Sequence, residues 1–192
     1  INLYKEYKDR SIEEMEKENA SRQIDMCLSG KELIKFPIDI TFENLGNKIN
    51  SPYPDYSPFI PEDESFIIFT SRRKENKGSF LDYDGYKSSD IYFSNVKKGI
   101  FSRPQNLSIV NTESDEEAAG ISPDGSSILV FVDDIFQNIY GNIYLSKRRG
   151  RSFQSLKSIG ESVNSSSSIE TAACLSPNGE TLYFASDKKG GF

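Results

Sequence analysis

Two stretches of the chain decide its reading: Ile121-Ser122-Pro123-Asp124-Gly125-Ser126-Ser127-Ile128-Leu129-Val130-Phe131 and Leu175-Ser176-Pro177-Asn178-Gly179-Glu180-Thr181-Leu182-Tyr183-Phe184. In each, Ser-Pro leads into Asp-Gly or Asn-Gly, and an apolar run follows. Asp124-Gly125 and Asn178-Gly179 favour tight hairpin turns, because Gly, Asn and Asp tolerate positive φ. The preceding proline sets the entry to the turn. The apolar run is then the second strand of a hairpin. A divergent copy stands upstream: Pro61-Glu62-Asp63-Glu64, followed by Phe66-Ile67-Ile68-Phe69. It lacks the turn glycine, so its hairpin is expected to be looser.

The similarity extends outward from the turns. Asn44-Leu45-Gly46 and Ile49-Asn50-Ser51 precede the first copy, Gln105-Asn106-Leu107 and Val110-Asn111 the second, Ser158-Ile159-Gly160 and Val163-Asn164-Ser165 the third. The turn residues Asp63, Asp124 and Asn178 are 61 and 54 residues apart, the longer interval reflecting an insertion around residues 77–87. A second marker keeps the same phase: Asp90-Ile91-Tyr92-Phe93-Ser94, then Asn142-Ile143-Tyr144-Leu145-Ser146. A third is expected just beyond Phe192. An internal period of this length is the signature of a repeat architecture. Each unit holds an inner strand, the strand after the turn, the Ile-Tyr strand, and a more polar outer strand over residues 102–107 or 153–159. Four short antiparallel strands per repeat describe a β-propeller blade, and stacked blades bury the faces one blade cannot. A β-sandwich lacks such regular repetition, and a β-helix has shorter rungs. The expected fold class is mostly β: a partial β-propeller of four-stranded antiparallel blades with an N-terminal α-helix. Residues 1–36 are the helical segment and 37–192 the blades, incomplete at the C-terminus.

The helix is read from Ser11 and Glu14 at capping-box spacing and from Ile12, Met15, Ile24, Cys27, Leu28 and Ile34 along one face, with a polar gap around Asn19. Gly30 ends or bends it. Its face is expected to pack on the following domain or to close a helical array upstream. Pro37 marks a break, after which Ile38, Ile40 and Phe42 alternate as a short strand does.

Composition narrows the function classes. Of 192 residues, 36% are hydrophobic and 12% aromatic, with no Trp and no His. The absence of His removes His-assisted hydrolysis, His–metal sites and the usual base near neutral pH. Net charge is -6, and the basic clusters Arg72-Arg73-Lys74, Lys97-Lys98, Lys147-Arg148-Arg149 and Lys188-Lys189 are short. They read as solvated loop tips rather than a nucleic-acid stripe. No stretch approaches the roughly 20 apolar residues of a membrane span. The two cysteines, Cys27 and Cys174, are expected to be buried free thiols.

No constellation for catalysis emerges. Glu116-Glu117 and Asp133-Asp134 are adjacent pairs, which in a strand point to opposite faces. Asp82-Tyr83-Asp84-Gly85 has oxygen ligands suited to Ca²⁺ but lacks the length and spacing of a calcium loop. Ser165 to Ser168 form a polar loop with no nucleophile elbow, and no phosphate loop is present. No catalytic residue, cofactor or metal site is assigned. Tyr53, Tyr56 and Tyr86, in loop-like positions, are the candidate aromatic anchors for a partner, with local packing as the alternative. Asp63, Asp124, Gly125, Asn178 and Gly179 are structural turn residues.

The segments Ser122-Pro123-Asp124-Gly125 and Ser176-Pro177-Asn178-Gly179, each followed by an apolar strand and, after Gly125, by an Asn-Ile-Tyr strand, resemble the PD40 or WD40-like β-propeller repeats. The run Ser186-Asp187-Lys188-Lys189-Gly190-Gly191-Phe192 looks like the loop before an Asp-Ile-Tyr strand in that family. Glu43-Asn44-Leu45-Gly46, Ile49-Asn50-Ser51-Pro52-Tyr53 and Phe69-Thr70-Ser71-Arg72-Arg73 resemble the propeller of Bacteroidetes envelope proteins. Those proteins join tetratricopeptide helices, a PD40 propeller and an OmpA-like peptidoglycan-binding domain, and some belong to type IX secretion and gliding. The resemblance covers about residues 20–192. It implies a non-catalytic binding or scaffold module, periplasmic and outer-membrane associated. Its implied partners are envelope proteins or cell-wall components, without nucleic acid and without a direct membrane span. The OmpA-like domain is absent, so no residue here is assigned to peptidoglycan. Two full repeats and half of a third suggest a piece of a longer chain. The alternative is the accessory propeller of a peptidase or other hydrolase, as in prolyl-oligopeptidase-like enzymes or the TolB translocation protein. Sialidase propellers differ, because their Asp box ends in a Trp that this chain lacks.

Overall fold

The computed structural model describes residues 1–134 and 139–190, with backbone alone at 139 and 140. The chain separates into two compact units, Ile1–Asn44 and Leu45–Phe192.

The N-terminal unit holds two helices where the sequence suggested one. They are α1 (Asn2–Arg10) and α2 (Glu14–Leu33). Ser11 ends α1 instead of capping the next helix. Its backbone is extended (φ -70°, ψ 136°), and its N–H and hydroxyl both reach the Tyr7 carbonyl at 2.9 Å. A serine serves either end of a helix, and here it satisfies an orphan carbonyl of the helix before it. Glu13 takes the N-cap position of α2 without a side-chain cap. Gly30 lies inside α2 and neither ends it nor marks its boundary. The alternation at Ile38, Ile40 and Phe42 forms no strand, and all three side chains are exposed. Alternation marks a strand only when a neighbouring edge pairs with it.

The second unit is built of antiparallel sheets. The first sheet contains β1 (Asp55–Phe59), β2 (Phe66–Ser71), β3 (Asp90–Lys97), β4 (Ile100–Phe101) and β5 (Gln105–Asn106), in the order β1-β2-β3-β4 with β5 also on β3. The second contains β6 (Asp115–Ile121), β7 (Ser127–Asp134), β8 (Ile139–Arg149), β9 (Ser152–Phe153) and β10 (Lys157–Ser158), in the order β10-β8-β7-β6 with β9 also on β8. A two-stranded sheet of β11 (Glu170–Leu175) and β12 (Leu182–Ser186) follows. The repeat is thus a repeat of register. Phe69 faces Tyr92 in the first sheet as Val130 faces Tyr144 in the second, and Ile68 faces Phe93 as Leu129 faces Leu145.

The three turns are one structure. Glu64, Gly125 and Gly179 sit at φ 51°, 66° and 72°. Their N–H groups bond the carbonyls of Pro61, Ser122 and Ser176 at 2.9, 2.8 and 2.8 Å. The side-chain oxygens of Asp63, Asp124 and Asn178 accept the N–H two residues on, at 3.0, 3.0 and 3.2 Å. The first turn is therefore not looser for lacking glycine; Glu64 adopts the left-handed conformation at a steric cost.

The Val-Asn pairs supply a second repeated device. The Asn111 amide accepts the Ile91 N–H and donates to the Ile91 carbonyl, both at 2.9 Å. Asn164 brackets Ile143 in the same way at 2.9 and 2.8 Å. Each asparagine substitutes for one residue of a neighbouring strand. It satisfies buried backbone groups that would otherwise lack partners.

Packing joins the sheets. Strand β6 lies against β1, β2 and β3, and β11 against β6, β7 and β8. The main core gathers Phe66, Ile68, Ile91 and Phe93 from the first sheet with Ala118, Ile128, Val130 and Phe153 from the second. Each large side chain so buried contributes about 1.5–3 kcal/mol. At the other seam, a Cβ on Gly120 would lie 2.3 Å from the Ala173 carbonyl oxygen, so only glycine permits that approach.

Two expectations about side chains are corrected. The basic clusters are not all solvated tips: the side chains of Arg72 and Arg73 are each 13% exposed, and Arg148 stacks 4.4 Å above the Phe66 ring. Both cysteines are free, but Cys27 is half-buried and Cys174 exposed. On β11 the cysteine points to the side that no further strand covers here.

Candidate functional site

The insertion at residues 77–87 forms a small hairpin. Leu81 bridges to Lys87, the Asp82 N–H bonds the Tyr86 carbonyl at 2.8 Å, and the Gly85 N–H bonds the Asp82 carbonyl at 2.9 Å. Its acidic turn wraps Arg72 at the end of β2. The guanidinium reaches Asp82 and Asp84 at 2.5 Å each, and its Nε donates to the Lys87 carbonyl at 2.8 Å. It also lies 5.6 Å from the Tyr86 ring centroid. The Asp84 carboxyl is held below its usual value, first by the Arg72 hydrogen bond and then by the Tyr86 N–H. Bidentate guanidinium–carboxylate geometry is rigid.

The foot of the hairpin is anchored as well. The Asn76 amide donates to the Ser71 and Ser88 carbonyls at 2.7 Å each and accepts the Tyr92 hydroxyl at 2.8 Å. The Lys77 ammonium donates to the Ser108 and Asn111 carbonyls at 2.8 and 2.7 Å. Between these fixed points the tip faces outward: Phe80 is 61% exposed, Leu81 66%, and Tyr83 fully exposed.

The three candidate tyrosines take different places. Tyr53 and Tyr86 meet edge to face, with centroids 6.4 Å apart. Tyr56, on β1, donates its hydroxyl to Glu117 Oε1 of β6 at 2.7 Å. Burial and then that carboxylate raise the Tyr56 pKa, and burial raises that of Glu117. Tyr56 is therefore a tie between two sheets, while Tyr53 and Tyr86 form the base of the hairpin. Phe80 and Leu81 went unmarked in the sequence, and Tyr83 stood out only as part of the acidic Asp82–Gly85 loop; their signal was large apolar residues beside and within an acidic turn inside an insertion. The carboxylates read as possible calcium ligands are bound to Arg72, and among the described residues no cluster of three or more metal-ligating side chains forms.

Of the turn residues assigned as structural, Asp124, Asn178 and Gly179 line a cleft of about 590 Å³ between the second and third sheets. Leu129, Leu145, Leu175 and Leu182 line it together with the charged Asp124, Lys147 and Glu180. Glu116 and Glu117, adjacent on β6, do not form a pair. Glu116 bonds Thr112, while Glu117 bonds Tyr56. No helix of the described residues is long and apolar enough to cross a membrane.

Fold and site together define a repeat-built, mostly β protein with a braced, outward-facing apolar hairpin. In comparisons with known proteins, no family model matches the sequence and no curated protein matches it.

Proposed function

We propose that residues 45–192 are blades of a β-propeller of the PD40 type, acting as a non-catalytic binding or scaffold module of a bacterial cell-envelope protein. The recognition element is the hairpin at residues 77–87, seated on Tyr53 and Tyr86. The observation that carries this reading is the contrast within the hairpin. Its frame is braced by Arg72, yet Tyr83 is fully exposed and Leu81 and Phe80 are more than half exposed. A rigid apolar anchor loses little conformational entropy on binding, which is what a binding hot spot requires. The identical register of the first two sheets and the packing of each first strand on the preceding sheet support the propeller assignment. The periplasmic, outer-membrane-associated setting, with envelope or cell-wall partners and the link to type IX secretion or peptidoglycan anchoring through further domains, follows from the PD40 resemblance.

A photo-crosslinker at position 83 tests the recognition element in an envelope fraction of the source cell. The expected result is a discrete adduct from position 83, absent from position 98 and lost when Phe80→Ser and Leu81→Ser are added. Equal labelling from both positions would contradict it.

A further inference from the structure

Each repeat carries, at or next to the start of its first strand, a carboxylate that closes the loop before it. Asp55, Glu116 and Glu170 accept the N–H of Ser51, Thr112 and Ser165 at 2.6, 2.8 and 3.2 Å. In the first repeat Arg73 stands 3.2 Å from Asp55, and in the third Lys188 stands 3.6 Å from Glu170. Each cation lies two residues beyond the acid's partner on the next strand, Ser71 and Ser186. In the second repeat the partner of Glu116 is Val132, and the residue two beyond it is Asp134. The cation of the repeat has become an acid.

Glu116 is fully buried and makes no ion pair among the described residues. The charged groups around it are mostly acidic. Asp90 faces it from β3, and Asp115 adjoins it on β6. Asp133 and Asp134 lie on β7, and Glu117, next along β6, is bonded to Tyr56. The nearby cations serve other groups: Lys77 and Lys87 act on Asp90, and Arg72 on Asp82 and Asp84. Asp90 is itself fully buried. One of its oxygens takes the Lys77 N–H and the Asn106 amide, and Oδ1 has no hydrogen-bond partner among the described residues.

A buried carboxylate without a counter-ion must lose its charge or destabilise the fold. A metal ion is one remedy, but the described residues gather no set of three or more ligands for one. A proton is the other. We propose that the second repeat is a proton-responsive element, in which Glu116 carries a proton while β6 is packed against β3 and β7 and loosens that packing when the proton leaves. Burial, and after it the charges of Asp90 and Asp115, push the Glu116 carboxyl up to about 7 against the pull of the Thr112 hydrogen bonds. Asp55, with its cation, goes the other way. Burial pushes it up, but hydrogen bonds from Ser71 and Ser51 and the Arg73 charge outweigh that and hold it below its usual value. The folded value of Glu116 lies above the ordinary 4.5, so the folded state holds the extra proton. Stability from this group is full below about pH 4.5 and is lost as pH rises through about 7.

The test is urea unfolding of the whole chain between pH 5 and pH 8.5, in chelator and again with added Ca²⁺. The variants are Glu116→Gln, Asp134→Lys and Asp90→Asn. The wild-type unfolding constant should rise on the order of 100-fold across that range. Glu116→Gln should remove most of the rise. Asp134→Lys, which restores the cation of the other repeats, should remove it by stabilising the charged form, and it carries the test if Glu116→Gln fails to fold. A wild-type slope retained in both variants would overturn the proposal. So would a slope abolished only by Asp90→Asn, or a Ca²⁺-dependent gain at pH 8.5 that chelator reverses.

Discussion

Glu64 occupies the one turn of three that lacks a glycine, at φ 51°. A side chain in the left-handed region costs about 1 kcal/mol, so Glu64→Gly should stabilise the protein by up to about that amount, read as a rise in the urea midpoint. Gly125→Ala should do the reverse. At φ 66° its new Cβ would also lie 2.9 Å from the Phe66 ring, and a loss of about 1–3 kcal/mol is expected. Equal effects of the two substitutions would show that the turns are not equivalent. Individual residues were legible in the sequence where their chemistry is local. The positive φ at Gly125 and Gly179 follows from Asp-Gly and Asn-Gly alone. The roles of Tyr56 and Arg72 do not, because Glu117 and Asp82 reach them from 61 and 10 residues away.

At the level of elements, the second and third strands of the repeat stood out as apolar runs at fixed distance from a turn. The outer strands β5 and β10 fell within the expected segments but shrank to two residues each. The Asn111 and Asn164 brackets explain why such short strands suffice: a side chain completes the edge that backbone leaves unfinished. The misread elements lie at the N-terminus. Ser11-x-x-Glu14 has capping-box spacing, but spacing does not say which helix a serine ends. Ile38, Ile40 and Phe42 alternate without an edge to pair with. The segment at residues 77–87 was visible as an insertion with an acidic, glycine-ended loop, but not as a hairpin. Its brace predicts that Arg72→Met will speed amide exchange at Asp82 and Gly85 while moving the global urea midpoint by less than about 1 kcal/mol, since the ion pairs are partly solvated. Unchanged exchange would mean that the backbone alone holds the hairpin.

For the whole molecule, the main buried core is a seam between the first two sheets, and a further cluster forms a second seam between the second and third. Gly120 tests this at the second seam. Gly120→Ala drives a methyl against the Ala173 backbone and should cost about 1–3 kcal/mol while leaving strand content unchanged. That the repeats are one structure used again can be tested at two amides. Neither Ile91 nor Ile143 gives its N–H to a strand; each gives it to the asparagine that leads into the next repeat. Residue-resolved hydrogen exchange should find both amides protected in the wild type. Asn111→Ala should release Ile91 alone and Asn164→Ala Ile143 alone. Both amides exchanging freely in the wild type, or both responding to either substitution, would show that the repeats do not share this device.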